Sequence, residues 1–370
     1  MKIVVVTNRG IEQQCAQEVE EITGEKAEAT DYLVFSSCAD TKKLNELYYF
    51  SQSARRIGVV VGECAFTDAD EILKHARAWN FPMTPETSFF VRVVKEDNEE
   101  LPSADVEADL GELIIEKTNA PVNVKQPEVT VLCIVVKNRC VVALDYGGFD
   151  VSKRQYVLYH HREALKPTLA YALLRHAQAE KAKIVLDPFC GTGTIPIEAA
   201  HFLSNQSINY YRKDEFALVK KDAENKKLME QLDKKRKEPK QKIIGYDSQL
   251  GFVSQAQKNA KIAGVHKSIN FARVDMEWLE TKCEQESVDC VVTHPPELTA
   301  ANRKHVLALY HQFFYQMDFV LAKKGRIVLA IANPAELKQK AEENKFTCVH
   351  EHEIWQGKKK LWMVEFHRNV

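Results

Sequence analysis

The chain has 370 residues, with 51 Lys and Arg against 52 Asp and Glu and a formal net charge of -1. This length predicts two or three domains. The balanced charge excludes binding to nucleic acid through overall positive charge, so any such binding would need a local basic surface. The apolar runs are too short to span a membrane, and the nine cysteines form no CxxC pair. We therefore expect a cytoplasmic protein without a membrane partner.

The N-terminal part alternates short strands and helices in two consecutive segments. Residues 1–65 contain β-type runs such as KIVVVT and helical stretches such as IEQQCAQEVEEI, which predicts a small α+β domain. Residues 66–150 repeat this pattern and end in a strand pair, EVTVLCIVV and RCVVALD, around the turn KNR. The stretch 151–170 is first extended and then helical, and we predict that it is a linker.

Strands and helices alternate more regularly in residues 171–370. Runs such as KIVLD, KIIGYD, INFARVD and VDCVVTH are separated by helical stretches, which predicts an α/β domain with a doubly wound, mainly parallel sheet. The C-terminal stretch EHEIWQGKKKLWMVEFHRNV predicts two antiparallel strands at the edge of this sheet, joined by a turn at GKKK.

One segment of this region is strongly basic. Residues 219–242 contain ten Lys or Arg against five Asp or Glu. Two interpretations stay open from the sequence. The segment is either a solvated helix with ion pairs between neighbouring turns, or a basic arm that contacts phosphate groups.

The stretch DPFCGTGT, residues 187–194, follows the first strand of the predicted parallel sheet. Gly191 and Gly193 allow a tight turn and close approach of a ligand to the backbone. Pro196 stands where a dinucleotide fingerprint needs glycine, and no GK[ST] of a P-loop follows. Asp187 repels phosphate but suits a cation, and S-adenosylmethionine carries positive charge at its amine and its sulfonium.

Two further acids follow neighbouring strands of this predicted sheet. Asp247 ends the second strand, where an acid accepts hydrogen bonds from both ribose hydroxyls in nucleotide-binding folds. Asp275 follows the third strand and is placed to accept from an adenine amino group. Each acid alone is more often a cap of a helix or turn. Together with Asp187 they indicate an adenosyl ligand beyond the carboxyl ends of the strands.

The motif DPFCGTGTIPIEAA resembles the first motif of class I S-adenosylmethionine-dependent RNA methyltransferases. The preceding stretch DVSKRQYVLYHHREALKPTLAYALL resembles the link that joins a THUMP domain to such a catalytic domain, with Gln155 in place of the usual glycine. The chain is most similar to tRNA (guanine-N2-)-methyltransferases. The resemblance implies a ferredoxin-like domain at 1–65, THUMP at 66–150, and a Rossmann-like methyltransferase domain at 171–370.

The resemblance also implies an activity and its partners. The implied activity is transfer of a methyl group from S-adenosylmethionine to guanine N2 in the acceptor-stem region of tRNA. The implied partner is tRNA, whose 3′ end the THUMP domain would hold. We expect a monomer. The implied cofactor-binding residues are Asp187, Pro188, Phe189, Cys190, Gly191, Thr192, Gly193, Asp247, Asp275 and Met276.

The fourth motif of the family is altered in this chain. The usual motif has Asn or Asp, then Pro or Leu, then Pro, then Tyr or Phe; here it reads His294-Pro295-Pro296-Glu297. The polar side chain and a Pro carbonyl accept from the target amine, and the aromatic ring stacks on the flipped base. A neutral His294 has one acceptor nitrogen for this task. Glu297 cannot stack, but it can accept from guanine N1–H.

The altered motif leaves several hypotheses open. Tyr310 or Phe313 would stack on the base in place of an aromatic residue at 297. Alternatively, the protein binds tRNA without catalysis, or it methylates another exocyclic amine, such as adenine N6 in ribosomal RNA.

Other candidate residues are weaker. The cations Lys153, Arg154, Arg162 and Lys166 either contact the backbone of the acceptor stem or form ion pairs between domains. Thiolate catalysis by Cys190 or Cys290 is not expected, because one lies in the cofactor turn and the other within a strand. The sequence offers no third metal ligand at a characteristic spacing from His160 and His161, so no metal is expected.

Overall fold

The computed structural model describes residues 1–161 and 163–369. Contacts divide the chain into two compact units. The first unit comprises 1–7, 15–153 and 209–234, and the second comprises 8–14, 154–208 and 235–370. No helix of the described residues is long and apolar enough to cross a membrane.

Helices and strands alternate along the chain. The helices are α1 (Glu12–Thr23), α2 (Thr41–Phe50), α3 (Ala69–Ala76), α4 (Ser103–Thr118), α5 (Pro167–His176), α6 (Thr194–Ser204), α7 (Ala217–Lys221), α8 (Glu224–Asp233), α9 (Leu250–Ala263), α10 (Arg303–Val320) and α11 (Ala335–Glu343). The strands are β1 (Lys2–Val6), β2 (Ala27–Thr30), β3 (Leu33–Ser37), β4 (Arg56–Ala65), β5 (Phe89–Glu96), β6 (Val129–Val136), β7 (Arg139–Asp145), β8 (Ile184–Asp187), β9 (Lys242–Asp247), β10 (Ile269–Arg273), β11 (Val288–Thr293), β12 (Leu321–Ile331), β13 (Phe346–Gln356) and β14 (Lys359–Arg368).

The first unit is built on a sheet of order β2-β3-β1-β4-β7-β6-β5. The pair β5·β6 is parallel, and the pair β6·β7 is the predicted antiparallel hairpin. Strands from residues 1–65 and from 66–150 join in this sheet, because β4 pairs with β7. The two predicted N-terminal segments therefore share one sheet.

Helices α7 and α8 belong to the first unit, although they lie between two strands of the second in sequence. Phe216, Val219, Met229 and Leu232 are buried in one core cluster with Ile3, Leu47 and other residues of the N-terminal part. The apolar face of this stretch, not its charge, therefore decides where it packs.

The second unit is built on a sheet of order β10-β9-β8-β11-β12-β14-β13. The strands from β10 to β12 are parallel, whereas β14 is antiparallel to both β12 and β13. The predicted doubly wound, mainly parallel sheet with an antiparallel pair at its edge is confirmed.

Helices cover both faces of this second sheet. Residues of α5, α6 and α9 fill one core cluster, and residues of α10 and α11 fill the other. The strands β8, β9, β10 and β11 run in the same direction, so their carboxyl ends, at Asp187, Asp247, Arg273 and Thr293, meet at one edge of the sheet.

Candidate active site

The loop after β8 forms the predicted tight turn. Gly193 has a φ of +89°, and a Cβ added there would lie 2.9 Å from the Cβ of Ala256. Only glycine adopts this φ without strain and also avoids the close contact with Ala256. The turn is fixed by two backbone hydrogen bonds, from Cys190 N to Tyr246 O and from Gly193 N to Cys190 O, each 2.8 Å long. Helix α6 begins at the next residue, Thr194.

Asp187 is a buried acid at the start of this loop. Its Oδ1 accepts hydrogen bonds from Thr293 Oγ1 at 2.6 Å and from Phe189 N at 3.2 Å. Burial raises the pKa of Asp187 to about 7, and the neighbouring negative charge of Asp247 acts in the same direction. A cation bound beside Asp187 would favour its charged form.

Asp247, at the end of β9, holds the same loop through hydrogen bonds. Its Oδ2 accepts from Gly191 N at 3.0 Å, and its Oδ1 accepts from Gln249 N at 2.8 Å. Burial raises the pKa of Asp247. Asp275 differs, because its side chain is 48% exposed and lies 3.7 Å from a guanidinium nitrogen of Arg273. The carboxylate of Asp247 is thus fixed by hydrogen bonds, whereas that of Asp275 is accessible to solvent.

A cavity of about 1000 Å³ opens at this edge of the sheet. It gathers most of the predicted site residues: Asp187, Pro188, Phe189, Cys190, Gly191, Thr192, Asp247, Asp275, Met276, His294, Pro295, Pro296 and Glu297. Gly193 is not part of the lining, since it packs against Ala256.

Sequence reasoning missed part of this cavity. One wall is a face of α10 and the residue before it, formed by Asn302, His305, Leu309 and Gln312. Spacings of three and four residues place these side chains on one side of a helix, and that periodicity was visible in the sequence. The stretch from Glu163 to Leu165, which precedes α5, also lines the cavity.

His294 lies between two backbone carbonyls. Its Nδ1 is 2.8 Å from Ala330 O, and its Nε2 is 3.1 Å from Glu163 O. Burial lowers the pKa of His294, which favours the neutral ring with one N–H. We assign this proton to Nδ1, since that contact is shorter. Nε2 then carries the lone pair predicted to accept an amine, so it cannot donate to the carbonyl of Glu163, and that contact is not a hydrogen bond in this tautomer.

Glu297 also binds the backbone of its own domain. Its two carboxylate oxygens lie 3.1 and 3.2 Å from Ala332 N, just beyond the end of β12. Lys359 Nζ lies 3.3 Å from Glu297 Oε1. In this conformation the carboxylate holds the loop after β11 against β12 and β14. The same side chain lines the cavity, and its contact with guanine N1–H stays a prediction.

Tyr310 and Phe313 do not replace the missing aromatic ring. Each is only 1% exposed, so neither offers a face for a base to stack on. The Tyr310 hydroxyl donates to Pro296 O at 2.6 Å, and the Phe313 ring lies against Phe189 with centroids 5.6 Å apart. The hypothesis that either ring stacks on the target base is wrong for this conformation.

The predicted RNA-binding cations have different surroundings. Arg154 is buried: its Nε and Nη2 donate to the two carboxylate oxygens of Glu198 at 2.9 and 3.0 Å, and the two side chains are 1% and 0% exposed. The guanidinium is thus held by Glu198 within one unit, and contact of Arg154 with RNA stays a prediction. Lys153 and Lys166 are exposed and lie in different units. Arg162 lies outside the described residues.

The basic segment 219–242 contains both a packed and an exposed part. In α8 and its surroundings, Lys226 pairs with Asp214 and Lys227 with Glu224. The pair of Lys227 and Glu224, three residues apart on α8, fits the interpretation as a solvated helix with ion pairs, whereas Asp214 lies outside the segment. Arg236, Lys237 and Lys240 follow in an exposed loop. Contact of that loop with phosphate groups stays a prediction.

The cysteines and histidines considered for other chemistry have unfavourable surroundings. Burial raises the pKa of the Cys290 thiol to about 12 and that of Cys190 well above its usual range. Both thiols are therefore held in the protonated, weakly nucleophilic form. Within residues 1–161 and 163–369, no group of three or more His, Cys, Asp or Glu could hold a metal ion.

Comparison with protein families decides the class of the protein. Residues 154–360 match the family described as RMKL-like, methyltransferase domain. The chain belongs to this RMKL-like methyltransferase family. Residues 66–145 of the same chain match the THUMP domain. The prediction of a THUMP domain followed by a Rossmann-like methyltransferase domain is confirmed, and the borders at 65, 150 and 170 stay predictions.

This RMKL-like methyltransferase has relatives that match it over nearly all of its residues. It is 26% identical to the tRNA (guanine(6)-N2)-methyltransferase of Methanocaldococcus jannaschii, over 96% of this chain and 97% of that protein. It is 27% identical to the protein of that name from Archaeoglobus fulgidus, over 94% of this chain and 87% of that protein.

Solved structures share the fold over the whole chain. TrmN from Thermus thermophilus matches with a TM-score of 0.74 and 23% identity, over 99% of each chain. The protein SMU.472 complexed with SAH matches with a TM-score of 0.82 and 19% identity, over 100% of this chain and 98% of that one.

Proposed function

We propose that the protein transfers a methyl group from S-adenosylmethionine to the exocyclic N2 of a guanosine in tRNA, in the acceptor-stem region. The observation that carries this proposal is the cavity at the carboxyl edge of the second sheet. One cavity is lined both by the buried acid Asp187, which suits a cation, and by the altered loop from His294 to Glu297. The THUMP match and the two archaeal relatives support tRNA as the substrate.

The residues present fit S-adenosylmethionine. Asp187 is a buried acid whose neighbouring charge, that of Asp247, is also negative, so a cationic ligand would relieve this repulsion. The turn 188–193 would bring backbone close to the ligand. Asp247 keeps lone pairs for the ribose hydroxyls, and Asp275 is accessible to an adenine amino group. When bound, S-adenosylmethionine supplies an electrophilic methyl group.

The loop after β11 would receive the target amine. The nitrogen lone pair of guanine N2 is delocalised into the ring, so the site must hold the N–H bonds and turn the lone pair toward the methyl group. In our proposal His294 Nε2 accepts one of these bonds after the carbonyl of Glu163 moves aside. Pro295 and Pro296 directly follow His294 and restrict the backbone of this loop.

Replacing His294 by Ala is expected to lower kcat about tenfold, the effect of losing one oriented hydrogen bond of roughly 1.4 kcal/mol. His294→Asn should keep most of the activity, because its amide oxygen accepts. With saturating cofactor, the wild-type rate should fall as pH drops through the lowered pKa of His294, below about 6.5. Steady-state kinetics from pH 8 to 5 measure this. A kcat for His294→Ala equal to that of the wild type would remove the acceptor role.

A first experiment tests the substrate class. Tritiated S-adenosylmethionine is incubated with the protein and either unmodified tRNA transcripts or ribosomal RNA transcripts. We expect label in tRNA. Label in ribosomal RNA alone would support the alternative of another exocyclic amine.

One observation favours a second candidate function. His294 and Glu297 both contact backbone groups of their own domain, which suits a protein that binds tRNA and the cofactor without catalysis. Binding of both ligands without label transfer would establish it. A monomer and a cytoplasmic location stay predictions.

A further inference from the structure

The amino ends of the parallel strands form the edge of the second sheet that lies opposite the cavity. Lys183 directly precedes β8, Lys242 is the first residue of β9, and Lys267 lies in the turn before β10. All three residues are exposed. Lys242 N donates to Lys183 O at 2.8 Å, and Ile243 in β9 pairs with Ile269 in β10. Because neighbouring strands lie about 4.8 Å apart, the three lysines lie next to one another along this edge.

The loop that leads into β9 adds further cations to the same edge. Three exposed cations lie in this loop: Arg236, Lys237 and Lys240. Gln241 Nε2 donates to Glu180 O at 2.8 Å, which fixes the end of the loop to the residues before β8. The loop is therefore held at the amino edge of the sheet.

The cations of this edge outnumber the acids and have no acidic partners. The stretches 179–183, 235–242 and 266–268 contain eight Lys or Arg against two Asp or Glu. A third acid at this edge, Asp289, accepts from the backbone N–H of Lys183 at 2.8 Å. In the part of the chain that the structure describes, no ion pair is formed by Lys183, Arg236, Lys237, Lys240, Lys242 or Lys267. The surface therefore carries an excess of positive charge, which attracts a polyanion.

We propose that these six residues form an amino-edge patch that binds the phosphate backbone of tRNA. Lysine and arginine bind phosphate oxygens without reading the sequence, and such contacts dominate the affinity of proteins for nucleic acids. No large hydrophobic side chain is exposed in the three stretches, all of which the structure describes. Interfaces between proteins have an apolar centre and few lysines. These features favour RNA over an acidic protein as the partner.

The amino-edge patch lies too far from the cavity to contact the cofactor or the target base. Strand β9 runs from Lys242 at the patch to Asp247 at the cavity, which is about 17 Å at roughly 3.3 Å per residue. The patch thus holds a segment of tRNA other than the one that enters the cavity. It raises the affinity for tRNA without taking part in methyl transfer. The choice of tRNA rests on the proposed function.

A triple variant of the full chain, Lys183→Gln with Lys242→Gln and Lys267→Gln, tests the patch. Its Kd for unmodified tRNA, measured by filter binding, should rise about tenfold, because one exposed ion pair changes an equilibrium roughly 1.4- to 5-fold. The slope of log Kd against log salt concentration should fall by about 2, since each phosphate contact contributes roughly 0.7–0.9. The Kd for S-adenosylmethionine and the kcat at saturating tRNA should not change.

Two further variants separate the position of the charges from the net charge. The matched control removes three charges from lysines that already have a carboxylate partner: Lys338→Gln, Lys340→Gln and Lys360→Gln. It should bind tRNA like the wild type. Replacement of Lys183, Lys242 and Lys267 by Arg keeps the charges of the patch and should also leave the affinity for tRNA unchanged.

The binding assay does not depend on methyl transfer. If the wild type binds tRNA but does not methylate it, the proposed activity fails, while the salt slopes still decide whether the patch binds tRNA. A Gln variant of the patch with the same Kd and slope as the matched control would overturn the patch. An equal loss of affinity for S-adenosylmethionine would also overturn it, because the lysines would then act on the fold of the domain. A wild type that binds no tRNA would overturn both proposals.

Discussion

Replacement of Arg154 by Met is expected to lower the free energy of unfolding by about 3–5 kcal/mol, the cost of leaving a buried charge without its partner. Arg154 and Glu198 form a two-point ion pair, and Tyr156 donates its hydroxyl to the same carboxylate at 2.7 Å. Burial raises the pKa of Tyr156, so this hydroxyl keeps its proton. Without the guanidinium, the carboxylate of Glu198 stays buried and loses two hydrogen-bond donors. Urea denaturation measures the loss.

Two further variants isolate the cause. Lys153→Met removes the neighbouring exposed cation and should change stability by less than about 0.5 kcal/mol. Arg154→Met combined with Glu198→Met removes both charges, and it should recover much of the loss, because apolar side chains often replace a buried ion pair well. A single Arg154→Met variant as stable as Lys153→Met would contradict the buried pair.

Replacing Asp187 by Asn is expected to weaken binding of S-adenosylmethionine roughly tenfold to a hundredfold, since a charged partner in a buried pair contributes about 1.5–3 kcal/mol. The amide oxygen can still accept from Thr293 and Phe189, so the loop is kept. Isothermal titration measures the affinity. Asp109→Asn, which removes an exposed acid from α4, is the control.

The same Asp187→Asn variant should be more stable than the wild type at pH 8. The folded pKa of Asp187 is raised to about 7, above the unfolded value of about 3.9. The folded state therefore holds a proton that the unfolded state releases, and this contribution to stability is lost as pH rises from about 4 to 7. Asn has no such loss. Thermal unfolding of both proteins at pH 8 measures the difference. The role of this charge would be refuted if Asp187→Asn bound the cofactor as tightly as the wild type. It would also be refuted if the variant unfolded at a lower temperature than the wild type at pH 8.

The catalytic core could be predicted because its signals are local. Short apolar runs that end in Asp187 and Asp247 predicted parallel strands, and the glycines between predicted the turn. Because the carboxyl ends of parallel strands share one edge, their convergence followed from topology alone. The antiparallel pair at the C-terminal end was equally visible from its turn.

Long-range contacts explain what the sequence left open. Arg154 looked like a surface cation beside Lys153, and its partner Glu198 lies 44 residues further along. A signal existed in IPIEAA, because an acid within an apolar helical run needs a buried partner. The sequence showed that His294 and Glu297 depart from the family, but their partners Ala330 and Ala332 come from another strand end. Likewise, nothing local shows that α7 and α8 pack in the first unit.

Methyl transfer to unmodified tRNA, followed by digestion and mass spectrometry of the nucleosides, tests the central claim most directly. The account predicts N2-methylguanosine in the wild-type reaction and much less of it with His294→Ala. Absence of any methylated nucleoside, although the same preparation binds both S-adenosylmethionine and tRNA, would contradict the proposed activity. It would mean that the altered loop after β11 serves binding without catalysis.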